Sequence, residues 1–111
     1  MTERVRPARH SDPTLLELAE LAATMNDEAT DQEREAWWRI VLRTQSSIDG
    51  DARAAKADHA AMRRLREAVT EVYRALNLGL VPDYSGAKHA IFGLQRLLEA
   101  RTTGFDGYRL R

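Results

Sequence analysis

Histidine is the residue in this chain best suited to catalysis or metal binding, and its spacing supports neither role. His10, His59 and His89 lie on separate predicted elements, and none is three or four residues from an acid, the separation at which two helical side chains share a metal ion. Asp58 and His59 are adjacent and would point in different directions from a helix. The chain also has no cysteine, which excludes thiolate nucleophiles and cysteine zinc sites. We therefore predict that it is not an enzyme and that it holds no metal or cofactor.

The elements that carry these histidines and acids are predicted to be helices. Apolar residues recur with the period of a helix and show no strand-like alternation. A chain of 111 residues is one domain by length. We predict an all-α, four-helix bundle-like single domain over 1–111, in which a polar N-terminal arm (1–11) and a short C-terminal tail (102–111) flank a helical core (12–101). The predicted helices run from about 13 to 25, from 30 to 48, from 52 to 77, and from a cap at Asp83 or Ser85 to Arg101.

The third predicted helix is distinguished by its length and its alanines. At about 26 residues it would be about 40 Å long, about twice its neighbours. Its first half is rich in alanine, whose small side chain lets two helices approach closely, and its predicted contact residues are Ala54, Ala57 and Ala61. A helix that projects past its neighbours needs a cover, so we predict a homo-oligomer, with a two-fold dimer favoured as the commonest symmetry. The alternative is a break near Ala57 and Asp58 that folds the first half back.

The apolar arc of the second predicted helix is too wide for one neighbour. Trp37, Val41 and Ile48 mark its centre, and Trp38 and Leu42 lie on one flank, which makes the arc about 200° wide at 100° per residue. A helix that rests on one neighbour needs about half of this width. We therefore predict that Trp38 and Leu42 form a protein-binding ridge, because tryptophan is enriched at binding hot spots. The alternative is that both tryptophans belong to the core.

One acid interrupts a predicted apolar stripe. Asp58 falls near the middle of the stripe on the third helix, where an unpaired carboxylate is costly. Either that end of the helix is exposed, or an arginine meets the carboxylate. The N-terminal arm supplies three candidates, Arg4, Arg6 and Arg9.

Charge is divided unevenly along the chain. Residues 1–50 carry ten acids and six bases, and residues 51–111 carry seven acids and eleven bases. The segment 12–35 has eight acids and one arginine, so it repels nucleic acid and attracts a basic surface. The basic half of the chain, in the same subunit or a second one, is the nearest such surface. This complementarity favours protein assembly, and a further alternative is an inhibitor whose acidic surface blocks a basic site on another protein.

A second class of function is nucleic-acid binding or nucleoprotein assembly. Phe92 lies opposite the leucine stripe of the fourth predicted helix, where its ring could stack on a base. Glu67 and Glu71 offset the arginines of the third helix, and Phe105 or Tyr108 of the tail could instead cover Phe92. The candidate nucleic-acid contacts are Arg63, Arg66, Arg74, Phe92, Arg96, Tyr108, Arg109 and Arg111.

One short segment carries a resemblance to a known class of proteins. Pro82-Asp83-Tyr84, followed by a helix rich in alanine and leucine, is loosely similar to the helical small subunits of phage DNA-packaging machines. The similarity covers less than a fifth of the chain. It would imply a small bacterial or phage-like protein that assembles with nucleic acid.

The sequence carries no predicted membrane or export signal. No apolar run approaches the ~20 residues that span a bilayer, and Met1–His10 is a polar arm with no apolar stretch behind it. The lack of cysteine agrees with a reducing compartment. We therefore expect a soluble, cytoplasmic protein without a membrane partner.

Overall fold

Four helices make up the part of the chain that the computed structural model describes, which is residues 13–109 for the backbone and 13–101 for the side chains. They are α1 (Pro13–Thr24), α2 (Asp31–Asp49), α3 (Lys56–Asn77) and α4 (Tyr84–Arg109). No strand occurs within the described residues. The predicted all-α, four-helix bundle-like fold is confirmed.

The four helices form a closed ring. Both α1 and α3 pack against α2 and against α4, so α2 and α4 occupy opposite corners of the bundle. Three six-residue connections join the helices, at 25–30, 50–55 and 78–83. Connections this short place helices that follow each other in sequence antiparallel. The first and third connections therefore lie at one end of the bundle, and the second lies at the other end.

The core receives one apolar stripe from each helix. Trp37 is its largest residue and is fully buried, and its indole N–H donates to the Thr24 hydroxyl at 2.9 Å. The rings of Tyr73 and Tyr84 pack against the Trp37 ring with centroids 5.9 and 6.4 Å away. Trp37 therefore ties α2 to the other three helices. The other large apolar side chains that are fully buried are Leu18, Leu21, Met25, Val41, Met62, Leu65, Val69, Val72, Ile91 and Leu94.

Side-chain caps set the starts of α2 and α4. The Thr30 hydroxyl accepts from the Glu33 N–H at 3.1 Å, and the Glu33 carboxylate accepts from the Thr30 N–H at 2.9 Å, which together form a capping box. The Asp83 carboxylate accepts from the Gly86 N–H at 2.9 Å at the start of α4. Of the two caps predicted for the fourth helix, Asp83 is the one used.

α3 begins at Lys56, four residues later than predicted. Asp51 forms a turn instead of capping a helix, because its carboxylate accepts from the Arg53 N–H at 2.9 Å and its carbonyl accepts from the Ala54 N–H at 3.0 Å. The alanine-rich stretch is thereby divided between this turn and the helix. α3 has 22 residues, against 19 in α2 and 26 in α4, so it does not project past partners of half its length. The alternative, a break near Ala57 and Asp58, is close to what the structure shows, since residues 52–55 belong to the turn and the helix begins at Lys56.

α4 is the longest of the described helices. It continues to Arg109, so the predicted end at Arg101 is wrong and residues 102–109 are helical. Gly104 and Gly107 each cost about 1 kcal/mol relative to alanine inside a helix, but glycine does not clash with helical geometry as proline does. The N-terminal arm, 1–11, lies outside the described residues.

Asp58 is buried, with 6% of its surface exposed, and it is paired. Its Oδ2 accepts from Arg101 Nη2 at 2.9 Å and from the Ala55 N–H at 2.9 Å, and the second bond caps α3. Arg101 Nη1 also donates to Asp51 at 2.9 Å. The expected arginine is therefore present, but it comes from α4 and not from the N-terminal arm. We name the group of Asp51, Asp58 and Arg101 the acid–arginine clasp.

Replacing Arg101 with alanine leaves the buried Asp58 carboxylate without its cation. We expect the free energy of unfolding to fall by about 2 kcal/mol, because one hydrogen bond from Ala55 remains. Arg53→Ala is the matched control: Arg53 pairs with the same Asp51, but its side chain is 77% exposed, and we expect no resolvable change in the free energy of unfolding. Urea unfolding followed by circular dichroism measures both. Equal losses in the two variants would contradict the clasp.

α3 ends in a Schellman motif at Gly79. The Gly79 N–H donates to the Leu76 carbonyl at 3.1 Å, and the Leu80 N–H donates to the Ala75 carbonyl at 2.8 Å. Gly79 has a φ of 72°, in the left-handed region that favours glycine. This turn redirects the chain from α3 into the 78–83 connection.

Gly79→Ala isolates the backbone cost of that turn. A Cβ at Gly79 meets nothing within 4 Å, so we attribute the expected loss of about 1 kcal/mol in unfolding free energy to φ alone. Gly93→Ala is the control, because a Cβ at this helical position also meets nothing within 4 Å. There alanine should stabilise the protein by up to about 1 kcal/mol. Urea unfolding should give opposite signs, and a gain at both positions would refute the assigned role of Gly79.

Candidate interaction surfaces

Trp38 and Leu42 form an exposed ridge on α2. They are one turn apart, and 36% of Trp38 and 49% of Leu42 is accessible to water. Trp38 borders a groove toward α3, and Leu42 borders a second groove toward α1. Of the two adjacent tryptophans, only Trp37 enters the core, so the alternative that both are core residues is wrong. The ridge stands between two grooves, a shape into which side chains of another helix can pack.

Tyr73 of α3 holds Trp38 in place. Its ring meets the Trp38 ring edge to face, with centroids 6.4 Å apart at 76°. Its hydroxyl donates to the Arg34 carbonyl and accepts from the Trp38 N–H at 3.1 Å. This carbonyl and this N–H are four residues apart, the separation at which backbone groups of an uninterrupted helix pair with each other. Burial raises the pKa of Tyr73, and the nearby carboxylate of Glu35 acts in the same direction. Trp38 is therefore exposed but ordered by its neighbours.

Acids share the outer face of α2 with the ridge. At 100° per residue, Asp31, Glu35 and Asp49 all fall within about 20° of Leu42, and all three are exposed. Arg39 is also exposed on this side of the helix. The ridge is therefore an apolar centre with carboxylates before and after it along α2.

Two contacts between charged or polar side chains tie α2 to its neighbours beside the ridge, and the exposed Glu67 of α3 also borders Trp38. Arg43 forms an ion pair with Glu17 of α1 at 2.9 Å. Arg66 of α3 donates to the Gln45 side chain of α2 at 2.9 Å. These contacts tie α2 to its two neighbours beside the ridge and leave Trp38 and Leu42 as its apolar centre.

The predicted alanine contacts do not form one exposed surface. Ala61 is 4% exposed and belongs to the core, and Ala54 is half-buried against it. Ala57 is the only one of the three that is exposed. The turn at Asp51 separates Ala54 from the helix that carries the other two, which is why the stretch gives no continuous face. Ala54 and Ala61 are therefore packing residues of this chain.

Phe92 lies on the outer face of α4 and is 47% exposed. Lys88 and Arg96 are one turn before and one turn after it, and His89 is exposed beside it. We call these four residues the Phe92 face. The proposed cover by Phe105 is wrong, because residue 105 continues the same helix about 20 Å farther along its axis. The same holds for Tyr108.

The candidate nucleic-acid contacts are not gathered on one face. Arg63, Arg66 and Arg74 are exposed on α3, but Arg66 bonds to α2 and Arg74 pairs with Glu71 at 3.7 Å. Arg96 lies on the outer face of α4. For Tyr108 and Arg109 only the helical backbone is described, and Arg111 lies outside the described residues.

One exposed surface was not predicted. Leu78, Leu80 and Val81 are 65%, 60% and 88% exposed in the connection after α3, and we call them the apolar loop. The signal was present in the sequence, because residues 78–82 contain three large apolar residues and no charge. Gly79 and Pro82 draw attention to the end of a helix and away from the residues around them.

Among the described residues, two buried polar atoms make no hydrogen bond: Arg34 Nε and the Tyr84 hydroxyl. Burial raises the pKa of Tyr84, and the charge of Asp27 acts in the same direction. Although these two atoms are buried, Arg34 and Tyr84 as whole residues are only half-buried.

The described residues contain no group of three or more histidine, cysteine or acidic side chains placed to hold a metal ion. Of their helices, none is both long and apolar enough to cross a membrane.

Comparison with protein-family models, with curated proteins and with solved structures gives no match. The surfaces described above are therefore the basis for inferring function.

Tyr73→Phe tests the support of Trp38. Loss of the hydroxyl should lower the free energy of unfolding by about 1 kcal/mol. The pKa of Tyr73 is higher in the folded state than in the unfolded state. The contribution of its neutral hydroxyl to the free energy of unfolding is therefore complete below about pH 10 and is lost as pH rises through the raised pKa. Urea unfolding at neutral and alkaline pH should show a steeper alkaline loss in the wild type than in Tyr73→Phe. Tyr84 is common to both proteins, so parallel pH profiles would contradict the assignment to Tyr73.

Proposed function

We propose that this chain is a non-catalytic assembly module that binds a second copy of itself, or a larger protein, through the ridge. One observation carries the proposal: Trp38 and Leu42 stand exposed on a helix whose core face is complete without them. Removing apolar surface from water is favourable by about 25 cal/mol per Å². Tyr73 already orders Trp38, so binding loses little side-chain freedom at this residue.

The charges around the ridge favour a protein partner over nucleic acid. Asp31, Glu35 and Asp49 would repel a phosphate backbone. The nucleic-acid alternative would use other surfaces: Arg63 on α3, and the opposite side of the bundle, where Lys88 and Arg96 flank the Phe92 ring. Acidic residues near the ridge also keep the inhibitor alternative open, since they suit a basic partner surface. A cytoplasmic location is part of the proposal and is supported by the absence of cysteine.

Trp38→Glu combined with Leu42→Glu tests the ridge. Both side chains are already partly in water, so the helical circular dichroism should be retained. Carboxylates at an apolar contact should weaken self-association at least about thirtyfold, the cost of losing a hot-spot contact. Light scattering on a sizing column measures the mass, with 12.6 kDa as the monomer.

Leu80→Glu combined with Val81→Glu is the matched control. It places two carboxylates on the apolar loop, where 60% of Leu80 and 88% of Val81 is accessible to water, and it should leave association unchanged. If the ridge variant associates like the wild type, the ridge is not the interface. If nucleic acid co-purifies at low salt and is released at high salt, the nucleic-acid alternative replaces assembly.

A further inference from the structure

We propose that the surface that the ridge binds is the Phe92 face of a second copy, so that copies join head to tail into an open-ended chain. The inference rests on the proposed function and adds the identity of the partner surface. It starts from the two large apolar centres on the outer faces of α2 and α4. The ridge on α2 exposes Trp38 and Leu42, and α4 exposes Phe92.

The two surfaces have opposite charge. Carboxylates precede and follow the ridge along α2, with Glu35 one turn from Trp38. Bases precede and follow Phe92 along α4, at Lys88 and Arg96. Exposed residues of the other sign also occur: Arg39 and Arg43 beside the ridge, and Glu99 beyond Arg96 with Glu67 and Glu71 beside His89. Complementary charge steers encounter and disfavours wrong pairings.

Charge also opposes pairing of the ridge with itself. In an antiparallel two-fold contact centred between Trp38 and Leu42, Asp31 of one copy lies opposite Asp49 of the other, because both are nine residues from the centre. In a parallel contact each acid faces its own equivalent. Like charges brought together at an interface are unfavourable. The two-fold dimer expected from symmetry statistics is therefore the weaker arrangement for this surface.

Helical spacing lets the two faces interlock. Lys88 and Arg96 lie four residues before and after Phe92. If Phe92 packs between Trp38 and Leu42 of another copy, Arg96 lies next to Glu35 when the two helices run antiparallel. When the helices run parallel, Lys88 lies next to Glu35. Either helix orientation therefore gives an apolar contact with an ion pair at its edge. Protein interfaces typically have such an apolar core and polar rim.

The corner positions of α2 and α4 decide what such a contact builds. These helices are diagonal in the bundle, so the ridge and the Phe92 face point in nearly opposite directions. A heterologous contact between opposite faces does not close on itself in two copies, and repetition adds further copies. The mass in solution should therefore rise continuously with concentration and not level off at twice 12.6 kDa.

Mixing two defective variants tests this arrangement. The first carries Trp38→Glu and Leu42→Glu and keeps an intact Phe92 face; the second carries Phe92→Glu and keeps an intact ridge. Each alone should be monomeric, and an equimolar mixture should give a 1:1 complex of about twice 12.6 kDa, because one intact pair of faces remains. Sedimentation velocity measures the mass. Phe92→Ala, which adds no charge, should weaken association in the same direction, and helical circular dichroism verifies folding.

The outcomes separate this inference from the proposed function. If the ridge variant is monomeric but both Phe92 variants associate like the wild type, the ridge binds another surface and only the inference is wrong. A mixture that remains monomeric, or a wild type whose mass stops at the dimer, also overturns the inference alone. If the ridge variant associates like the wild type, both are wrong. Charge exchange gives a further readout: Glu35→Arg should weaken association, and mixing it with Lys88→Glu, Arg96→Glu should restore it.

Discussion

Trp37 and Trp38 are adjacent on α2, so their side chains point about 100° apart. Trp37 lies on the face that packs into the core, where it is fully buried and donates its indole N–H to Thr24, whereas 36% of Trp38 is exposed. Contacts with the rings of Tyr73 and Tyr84 then fix the rotation of α2 relative to α3 and α4. Once Trp37 occupies the core, Trp38 and Leu42 must face outward. The exposed ridge is thus a consequence of how the core is filled.

The opposite end of the bundle depends on a different interaction. The acid–arginine clasp joins the turn after α2, the first turn of α3 and α4 through bonds of 2.9 Å. It places a cation beside a carboxylate that would otherwise be costly to bury. With Trp37 near one end and the clasp at the other, α2 and α4 are held at opposite corners. That placement puts the ridge and the Phe92 face on opposite sides of the bundle.

Local patterns predicted the elements well, and long-range contacts were out of their reach. Thr30 and Glu33 carry a complete capping signal, and the structure uses it. Asp51 could begin a helix or a turn, because the same carboxylate can cap either; the contact with Arg101, fifty residues away, accompanies the turn. The partner of Asp58 is likewise 43 residues away, with no local pattern to indicate it. Exposure of Trp38 could be predicted from the width of the apolar arc on α2. Exposure of the apolar loop could not, because it depends on which residues the packed helices leave uncovered at the end of the bundle.

The fluorescence of Trp38 tests most directly whether a second copy buries this residue. Subtracting the emission of Trp38→Phe from that of the wild type isolates Trp38, and the buried Trp37 that remains in the variant serves as the internal reference. As protein concentration rises, the Trp38 emission should shift to shorter wavelength and become protected from acrylamide, while the Trp37 emission stays constant. If Trp38 is as accessible to acrylamide in concentrated protein as in dilute protein, the ridge is not buried by a second copy and the account is contradicted.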